Sequence, residues 1–538
     1  MPDWVNKSVF YHIYPLGFCG APQFNNEDRI YNRLNKVKDW IPHLKDMNVT
    51  AINFGPLFES SEHGYDTKDY YNIDKRLGDN NLFKELVDEL HKNSIRVIVD
   101  GVFNHVGRDF WAFKDLIQNG RNSKYVSWFE NVNFNYGSPM GDPFTYEAWE
   151  GYYNLVKLNL KNKDVVDHIL GAIGMWMDQF NIDGIRFDVA YCLDTEFIKT
   201  VRKFIKHKRN DFWLMGEVIH GEYFRWANKD MLDSTTNYEC FKGIYSSHND
   251  KNYFEIAYSL NRQFGNGGIY KDICTYNFVD NHDVNRISEN LRDYRDIKNV
   301  YTLLYTMPGV PAIYYGSEWG IKGKKENGSD KPLRPCLDIN NLENPDYSLY
   351  EHIKKLSKIK LSLKALHFGE YSQVLVRNEQ LIYKRNFEEQ VIFVALNLSD
   401  ENFKTDINVS ARGAVDLVNN NEIFHADNGK LNIDIPGKFA RVLLLSDFED
   451  NNNNDLPVKN NWIHVKDSEN IKLGSYRHFK GNIYNVVGVG LHTETKEKMV
   501  IYNQANNPSK IWVRPMSMFI GTVTKDGRTV KRFEYLGK

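Results

Sequence analysis

Four segments of the chain run from an apolar, strand-like stretch into acid-bearing polar residues. They are Val97-Ile98-Val99-Asp100 with Asn104 and His105 just beyond, Gly184-Ile185-Arg186-Phe187-Asp188, Trp213-Leu214-Met215-Gly216-Glu217, and Phe278-Val279-Asp280-Asn281-His282-Asp283. A buried parallel strand that delivers a carboxylate at its C-terminal end lets a barrel gather acids from distant sequence positions into one pocket. The surrounding sequence keeps the matching rhythm to about residue 365. Val9–Tyr14, Thr50–Phe54 and Ile95–Val99 read as the first three strands; the fourth, fifth and seventh end at Asp188, Glu217 and Asp283, and Pro311–Gly316 supplies the eighth. Between them, Leu34, Val37, Trp40, Ile41 and Leu44, and then Leu82, Phe83, Leu86, Val87 and Leu90, recur at helical spacing. This alternation predicts an α/β fold, a (β/α)8 TIM barrel.

The rhythm breaks between about Gly107 and Leu155, where Trp111, Trp128, Phe129, Tyr146, Trp149 and other aromatics crowd together. An irregular insertion of this length inside a compact domain is usually functional, and it reads as a subdomain walling the site. Its flat side chains suit either sugar stacking or a small core of their own. Helical spacing resumes at Val165–Met177 and again at Leu349–Leu363, which closes the barrel. From Glu370 to Leu445 the period changes to two, as in Val391-Ile392-Phe393-Val394-Ala395-Leu396, implying a β-sandwich. The acidic, Asn-rich run Asp447–Asp455 is a linker by composition. The expected organisation is a barrel from residues 1–106 and 160–368, an inserted subdomain at 107–159, a sandwich at 369–447, a linker at 448–461 and a small β-rich module at 462–538.

Lys and Arg number 68 against 70 Asp and Glu, a formal net charge of -2. Such a balance provides no long-range field for nucleic acid or an anionic membrane, and a neutral partner such as a sugar suits it. The 5 cysteines are odd in number, widely spread and never in C-x-x-C spacing, which argues against a disulfide framework or a zinc site. No apolar run is long enough to span a bilayer, and the first residues lack a basic region followed by an apolar stretch, so a cytoplasmic location is expected. Oligomeric state is not encoded in any feature of this kind.

Taken in order, the four acid-ending segments resemble the signature regions of the alpha-amylase family, glycoside hydrolase family 13. The resemblance covers residues from about 4 to 447 and includes His63-Gly64-Tyr65-Asp66-Thr67-Lys68-Asp69-Tyr70, similar to that family's loop after strand two. It implies that Asp188 is the nucleophile, Glu217 the general acid/base and Asp283 the carboxylate that holds the distorted sugar. A retaining glycosidase needs one ionised carboxylate and one protonated carboxyl about 5 Å apart. Arg186, two residues before Asp188, should project to the same side and keep Asp188 ionised, while Glu217 needs a raised pKa to carry its proton. His105 and His282 match histidines that bind hydroxyls of the cleaved sugar, Tyr65 the platform beneath it, and Asp100 an acid supporting the constellation. Asp66, His220 and Arg286, in or beside the same motifs, complete the expected substrate-binding set. Taken singly, a strand-end acid can merely cap a helix and a histidine can merely satisfy a buried carbonyl; several such groups converging on one barrel face read as catalytic.

Many relatives hold calcium through the Asn of the first region and a Lys-His pair after the nucleophile. Asn104 is present, but Asp188 is followed by Val189-Ala190-Tyr191-Cys192, so no cofactor and no metal site is expected. Leu155-Val156-Lys157-Leu158-Asn159 resembles the fifth region of the neopullulanase and cyclomaltodextrinase group, with Val156 where proline is usual. This likeness implies retaining hydrolysis of α-1,4 and also α-1,6 bonds in maltodextrins, cyclodextrins or starch fragments, with transglycosylation. An intracellular α-glucosidase or a glucanotransferase is the alternative, and a catalytically silent glucan-binding barrel a more remote one. The C-terminal segment resembles a small bacterial domain of unknown function.

Overall fold

The computed structural model describes residues 1–447, 474–491, 498–505, 507–525 and 528–537, in two compact units divided after Phe448. In the first unit, eight parallel strands follow one another around a barrel: β1 (Phe10–Ile13), β2 (Ala51–Phe54), β3 (Arg96–Gly101), β4 (Gly184–Phe187), β5 (Trp213–Gly216), β6 (Ser234–Thr235), β7 (Tyr276–Asn277) and β8 (Val310–Tyr314). Pairing runs β6-β5-β4-β3-β2-β1-β8-β7. A parallel bridge from Thr236 to Tyr276 closes the ring, reinforced by the Asn237 amide donating to the Tyr276 carbonyl at 3.0 Å.

Strand alternation divides the apolar residues between two cores. Phe10, Ala51, Ile98, Trp213, Met215, Tyr276, Val310 and Ala312 pack together inside the barrel. Tyr11, Ile52, Val97, Val99, Ile185 and Leu214 instead join the outer core shared with helical residues such as Trp40, Leu86 and Ile169. The strand-starting Phe10, Trp213 and Tyr276 plug the floor, with the Phe10 and Trp213 rings 5.0 Å apart and Trp213 Nε1 donating to Ser234 Oγ at 2.9 Å. The interior is therefore filled below and can be polar only above. Side-chain caps start several outer helices: Asp79 accepts from the Leu82 amide at 2.8 Å, Asp194 from Phe197 at 3.0 Å and Asp346 from Leu349 at 2.9 Å.

Two expectations about strand ends need correction. β7 stops at Asn277 and does not reach Asp283. Polar side chains there capture backbone amides that a ladder would use: Asn281 Oδ1 accepts from Asp283 at 2.8 Å and Val284 at 3.1 Å, and Asp280 Oδ2 accepts from Ile287 at 2.9 Å. β3 runs further than its apolar run, enclosing Asp100 within the strand.

The insertion holds a helix, Trp111–Asn119, and a three-stranded antiparallel sheet of His105–Gly107, Tyr152–Lys157 and Ala148–Trp149. Phe113, Trp128, Phe129, Phe144 and Tyr146 are buried within it, so core packing claims these aromatics. Eight antiparallel strands follow, from Glu370–Val376 at one edge to Phe403–Asn408 at the other. They form the C-terminal β-sandwich. One set of side chains, including Ile382, Phe393, Ile433 and Leu443, makes its own core, while Leu381, Tyr383, Val394 and Val442 join the outer core of the barrel.

The second unit has a five-stranded antiparallel sheet, from Asn507–Pro515 at one edge to Phe533–Gly537 at the other, with a core of Tyr476, Val486, Val500, Tyr502, Phe519 and Phe533. The expected linker at 448–461 lies outside the described residues. No described helix is long and apolar enough to cross a membrane.

Because Trp213 is fully buried in the plug, Trp213→Ala is expected to destabilise the fold by about 3–5 kcal/mol. A lowered denaturant midpoint measures the loss.

Candidate active site

The inward stripe that makes the plug continues upward as Asp100 on β3, Arg186 on β4 and, just past the strand ends, Asp188 and Glu217. Register brings them together. Asp100 pairs with Arg186 across β3 and β4, and Phe187 with Gly216 across β4 and β5, so the next residues, Asp188 and Glu217, stand side by side on strands about 4.8 Å apart. Arg186 Nη1 lies 2.7 Å from Asp100 Oδ2 and 3.4 Å from Asp188 Oδ1, and Nη2 lies 2.9 Å from Glu217 Oε1. All four residues are buried.

Glu217 is held from two further directions. Its Oε2 accepts from the Val189 amide at 3.1 Å and its Oε1 from the Tyr238 hydroxyl at 3.1 Å. Val189 adopts φ 38°, a left-handed conformation that a β-branched residue resists by about 1–3 kcal/mol. That strained turn aims the amide at the carboxylate. Tyr238 begins the helix Tyr238–Asn249, whose N-cap Asn237 accepts from the Cys240 amide. Asn281 Nδ2 donates to the Tyr238 oxygen at 3.3 Å, linking it to the turn that carries Asp283.

A second chain of contacts circles the open side. Tyr65 OH donates to Asp100 Oδ2 at 3.1 Å and contacts His282 Nε2, which lies 2.9 Å from Asp283 Oδ2. Arg334 Nη2 approaches Asp283 Oδ1 at 2.9 Å, and its Nε donates to the His282 carbonyl at 3.1 Å. The His282 ring lies nearly parallel to Tyr14 at 5.7 Å and to Tyr65 at 5.6 Å, with the Tyr65 hydroxyl meeting its edge. Asp283, with 35% of its side chain exposed, is the acid nearest solvent.

One guanidinium cannot neutralise Asp100, Asp188 and Glu217 together, so the cluster retains protons that isolated carboxyls would lose. Burial pushes Asp188 well above the carboxylate range, the charge of Glu217 adding to it and Arg186 opposing it. The guanidinium sits closer to Asp100 and Glu217 than to Asp188, yet its charge still favours the ionised form of Asp188 against burial. Burial likewise pushes Asp100 up to about 6, against the pull of Arg186 and His282. At Asp283 burial is outweighed by His282, Arg334 and Arg186, which hold it below its usual value. His105 is lowered to about 3, by burial first and then by His63, and is neutral near pH 7.

The other expected residues take varied places. His105 is buried at the base of the insertion, its Nδ1 against Asn104 Nδ2 at 3.1 Å and its ring 5.5 Å from Trp149. Asp66 turns its Oδ1 to the amides of His63 and Gly64, both at 3.1 Å, so it shapes the loop presenting Tyr65 and does not face the acids. Arg286 is fully buried, donating to the Tyr315 carbonyl at 2.6 Å, Ser317 Oγ at 2.9 Å and the Leu333 carbonyl at 3.1 Å, with Tyr314 beneath it at 4.0 Å. The turn after β7 folds it under the loop that follows β8. His220 is exposed in the loop beyond Glu217. Tyr14, Tyr238 and Arg334 enter the site unanticipated; the polar run Thr235-Thr236-Asn237-Tyr238 lacks an apolar strand signal, and Arg334 lies in a loop. Among the described residues no group of three His, Cys, Asp or Glu side chains could hold a metal ion.

A closed barrel with adjacent strand-end carboxyls, one ringed by donors, is the framework of a glycoside hydrolase. Residues 13–362 match the family model described as "Alpha amylase, catalytic domain", and the chain belongs to the alpha-amylase family. Residues 474–535 match a "Protein of unknown function (DUF1653)". The chain is 30% identical over 460 residues to a cyclomaltodextrinase of Geobacillus thermopakistaniensis, covering 81% of this chain and 76% of that one. It is 28% identical to an intracellular maltogenic amylase of Bacillus subtilis (strain 168), with 74% and 69% covered. The structure of a cyclic alpha-maltosyl-(1-->6)-maltose hydrolase from Arthrobacter globiformis superposes with a TM-score of 0.70 at 25% identity, covering 82% of this chain and 99% of that one. The protein is thus an alpha-amylase-type glycoside hydrolase.

Replacing Arg186, which is 3% exposed, by Met leaves buried acids without a counter-charge and is expected to destabilise the fold by about 3–5 kcal/mol near pH 8. Without the guanidinium the folded state binds protons more tightly than the unfolded chain. The deficit should therefore shrink as pH falls below about 6, in the direction that linkage requires of raised carboxyl pKa values. Denaturant midpoints of both proteins across pH 5–8 test the sign.

Proposed function

We propose that the protein is a retaining hydrolase of short α-glucans, linear or cyclic, cleaving α-1,4 and also α-1,6 bonds, with some transfer to sugar acceptors. The reading rests on the side-by-side placement of Asp188 and Glu217 at the ends of β4 and β5, joined through Arg186. In this proposal Asp188 attacks the anomeric carbon and Glu217 protonates the leaving oxygen, then deprotonates the incoming water or sugar. Asp283, held ionised, faces the positive charge that develops on the sugar ring. Tyr65 and His282 offer a flat face and a ring edge beside it, and His105 a neutral imidazole for a hydroxyl.

The choice of glucan follows from the relatives. One is named for cyclomaltodextrin and another for a ring containing a 1-->6 bond, while the chain's own net charge of -2 suits an uncharged sugar. The relative named intracellular supports action inside the cell. We include no metal or cofactor in the mechanism, since proton transfer and covalent capture by carboxyls are sufficient for it.

Asp188→Asn and Glu217→Gln are each expected to lower kcat on maltotriose by at least about 10²-fold, the acid/base term being worth roughly 10²–10⁴. Near-normal turnover by either purified variant would overturn the assignment. Product analysis on maltotriose, β-cyclodextrin, pullulan, isomaltose and sucrose tests the substrate class; release of glucose and maltose from the first three is the expected pattern, and turnover of sucrose alone the contrary one.

A further inference from the structure

The two oxygens of Glu217 sit in unlike settings. Oε1 faces two donors, Arg186 Nη2 at 2.9 Å and Tyr238 OH at 3.1 Å, whereas Oε2 faces the Val189 amide at 3.1 Å. A carboxylate oxygen has two lone-pair sites, so Oε1 is saturated and Oε2 keeps one site free. The direction of the phenol follows from its neighbour: Asn281 gives its Oδ1 to two backbone amides, which points its Nδ2 at the Tyr238 oxygen and leaves the hydroxyl hydrogen for Glu217. Phe278, 4.9 Å away and edge-on, braces the ring. Burial raises the Tyr238 phenol well above its usual value, with Glu217 and Asp283 adding to the effect, so it remains a donor at every working pH.

We propose that Tyr238, with Asn281 behind it, is a positioning residue that confines the transferable proton of Glu217 to Oε2. The proposal rests on the acid/base role given to Glu217 above and specifies the atom that performs it. If the phenol is removed, Oε1 regains a free site and the proton divides between two oxygens, only one of which is oriented by the Val189 amide. A donor to the ionised form is also lost, which makes the carboxyl harder to ionise. The other charged or titratable groups around Glu217 stay in place: Arg186 and Asp188 from β4, Asp100 from β3, Tyr191 from the loop after β4, and Asp283 across the pocket.

The test compares wild-type protein, Tyr238→Phe and Glu217→Gln on two substrates, maltotriose and α-maltosyl fluoride, the second of which departs with little help from an acid. The readouts are kcat/KM as a function of pH, which reports the first chemical step, and a thermal midpoint as the folding control. For Tyr238→Phe the alkaline limb on maltotriose should move up by about one pH unit. Its kcat/KM on maltotriose should fall about tenfold, and that on the fluoride by less than about threefold. Equal losses on both substrates with an unmoved limb would overturn the proposal, as that is how a merely structural ring behaves. Glu217→Gln separates the two levels of inference: if it loses as much on the fluoride as on maltotriose, the acid/base role itself fails, whereas a selective loss there with an unselective Tyr238→Phe sinks the positioning role alone.

Discussion

The site depends on one buried guanidinium. Arg186 reaches three carboxyls from three neighbouring strand positions, and no other cation contacts Asp100, Asp188 or Glu217 among the described residues. A point charge such as an ammonium could not span them, because only a planar fork presents two nitrogens in opposite directions at once. Every acid there is consequently under-neutralised, and the raised values at Asp100 and Asp188 follow from that shortage together with burial. Asp283 is the exception because Arg334 and His282 serve it separately.

This arrangement follows from strand phase. The period of two that turns Ile98, Trp213 and Met215 inward into the plug also turns Asp100, Arg186, Asp188 and Glu217 inward one or two steps later. A one-residue slip of any of these strands would exchange core and site with the outer face. The aromatic floor and the polar roof are thus parts of a single constraint, and the floor supplies the rigidity that a converging acid cluster needs against its own repulsion.

The sequence was most informative where burial is most complete. β1 to β5 and β8 carry apolar runs, and the acids following β4 and β5 could be read directly from them. β6, of two residues, escaped, and β7, expected to end at Asp283, stops at Asn277, because both consist of Ser, Thr, Tyr and Asn, whose strand character arises only from neighbours that complete the ring. The same weakness bears on two residues whose surroundings the motifs did not foretell. Asp66 and Arg286 occupy motif positions, but side-chain capture of local amides turns one toward its loop and the turn after β7 carries the other beneath the strand ends. Tyr238 and Arg334 could not be found at all, since each reaches the acids from a different loop and shares no spacing with them. The aromatics of the insertion divide as large apolar side chains usually do: Trp128, Phe129 and Tyr146 are buried, and Tyr152, near Trp149, is exposed.

The shared guanidinium also bears on the change of role that the proposed cycle demands of Glu217, which must be an acid in one step and a base in the next. Before bond formation, Asp188 and Glu217 share Arg186, and the charge of Glu217 adds to the burial that raises Asp188. When Asp188 becomes an ester it loses its charge and its claim on Nη1. Repulsion on Glu217 then falls while its contact with Nη2 persists. The switch from donor to acceptor needs no movement of the chain. It requires only that the nucleophile lose its charge beside the acid while the cation they share stays in place.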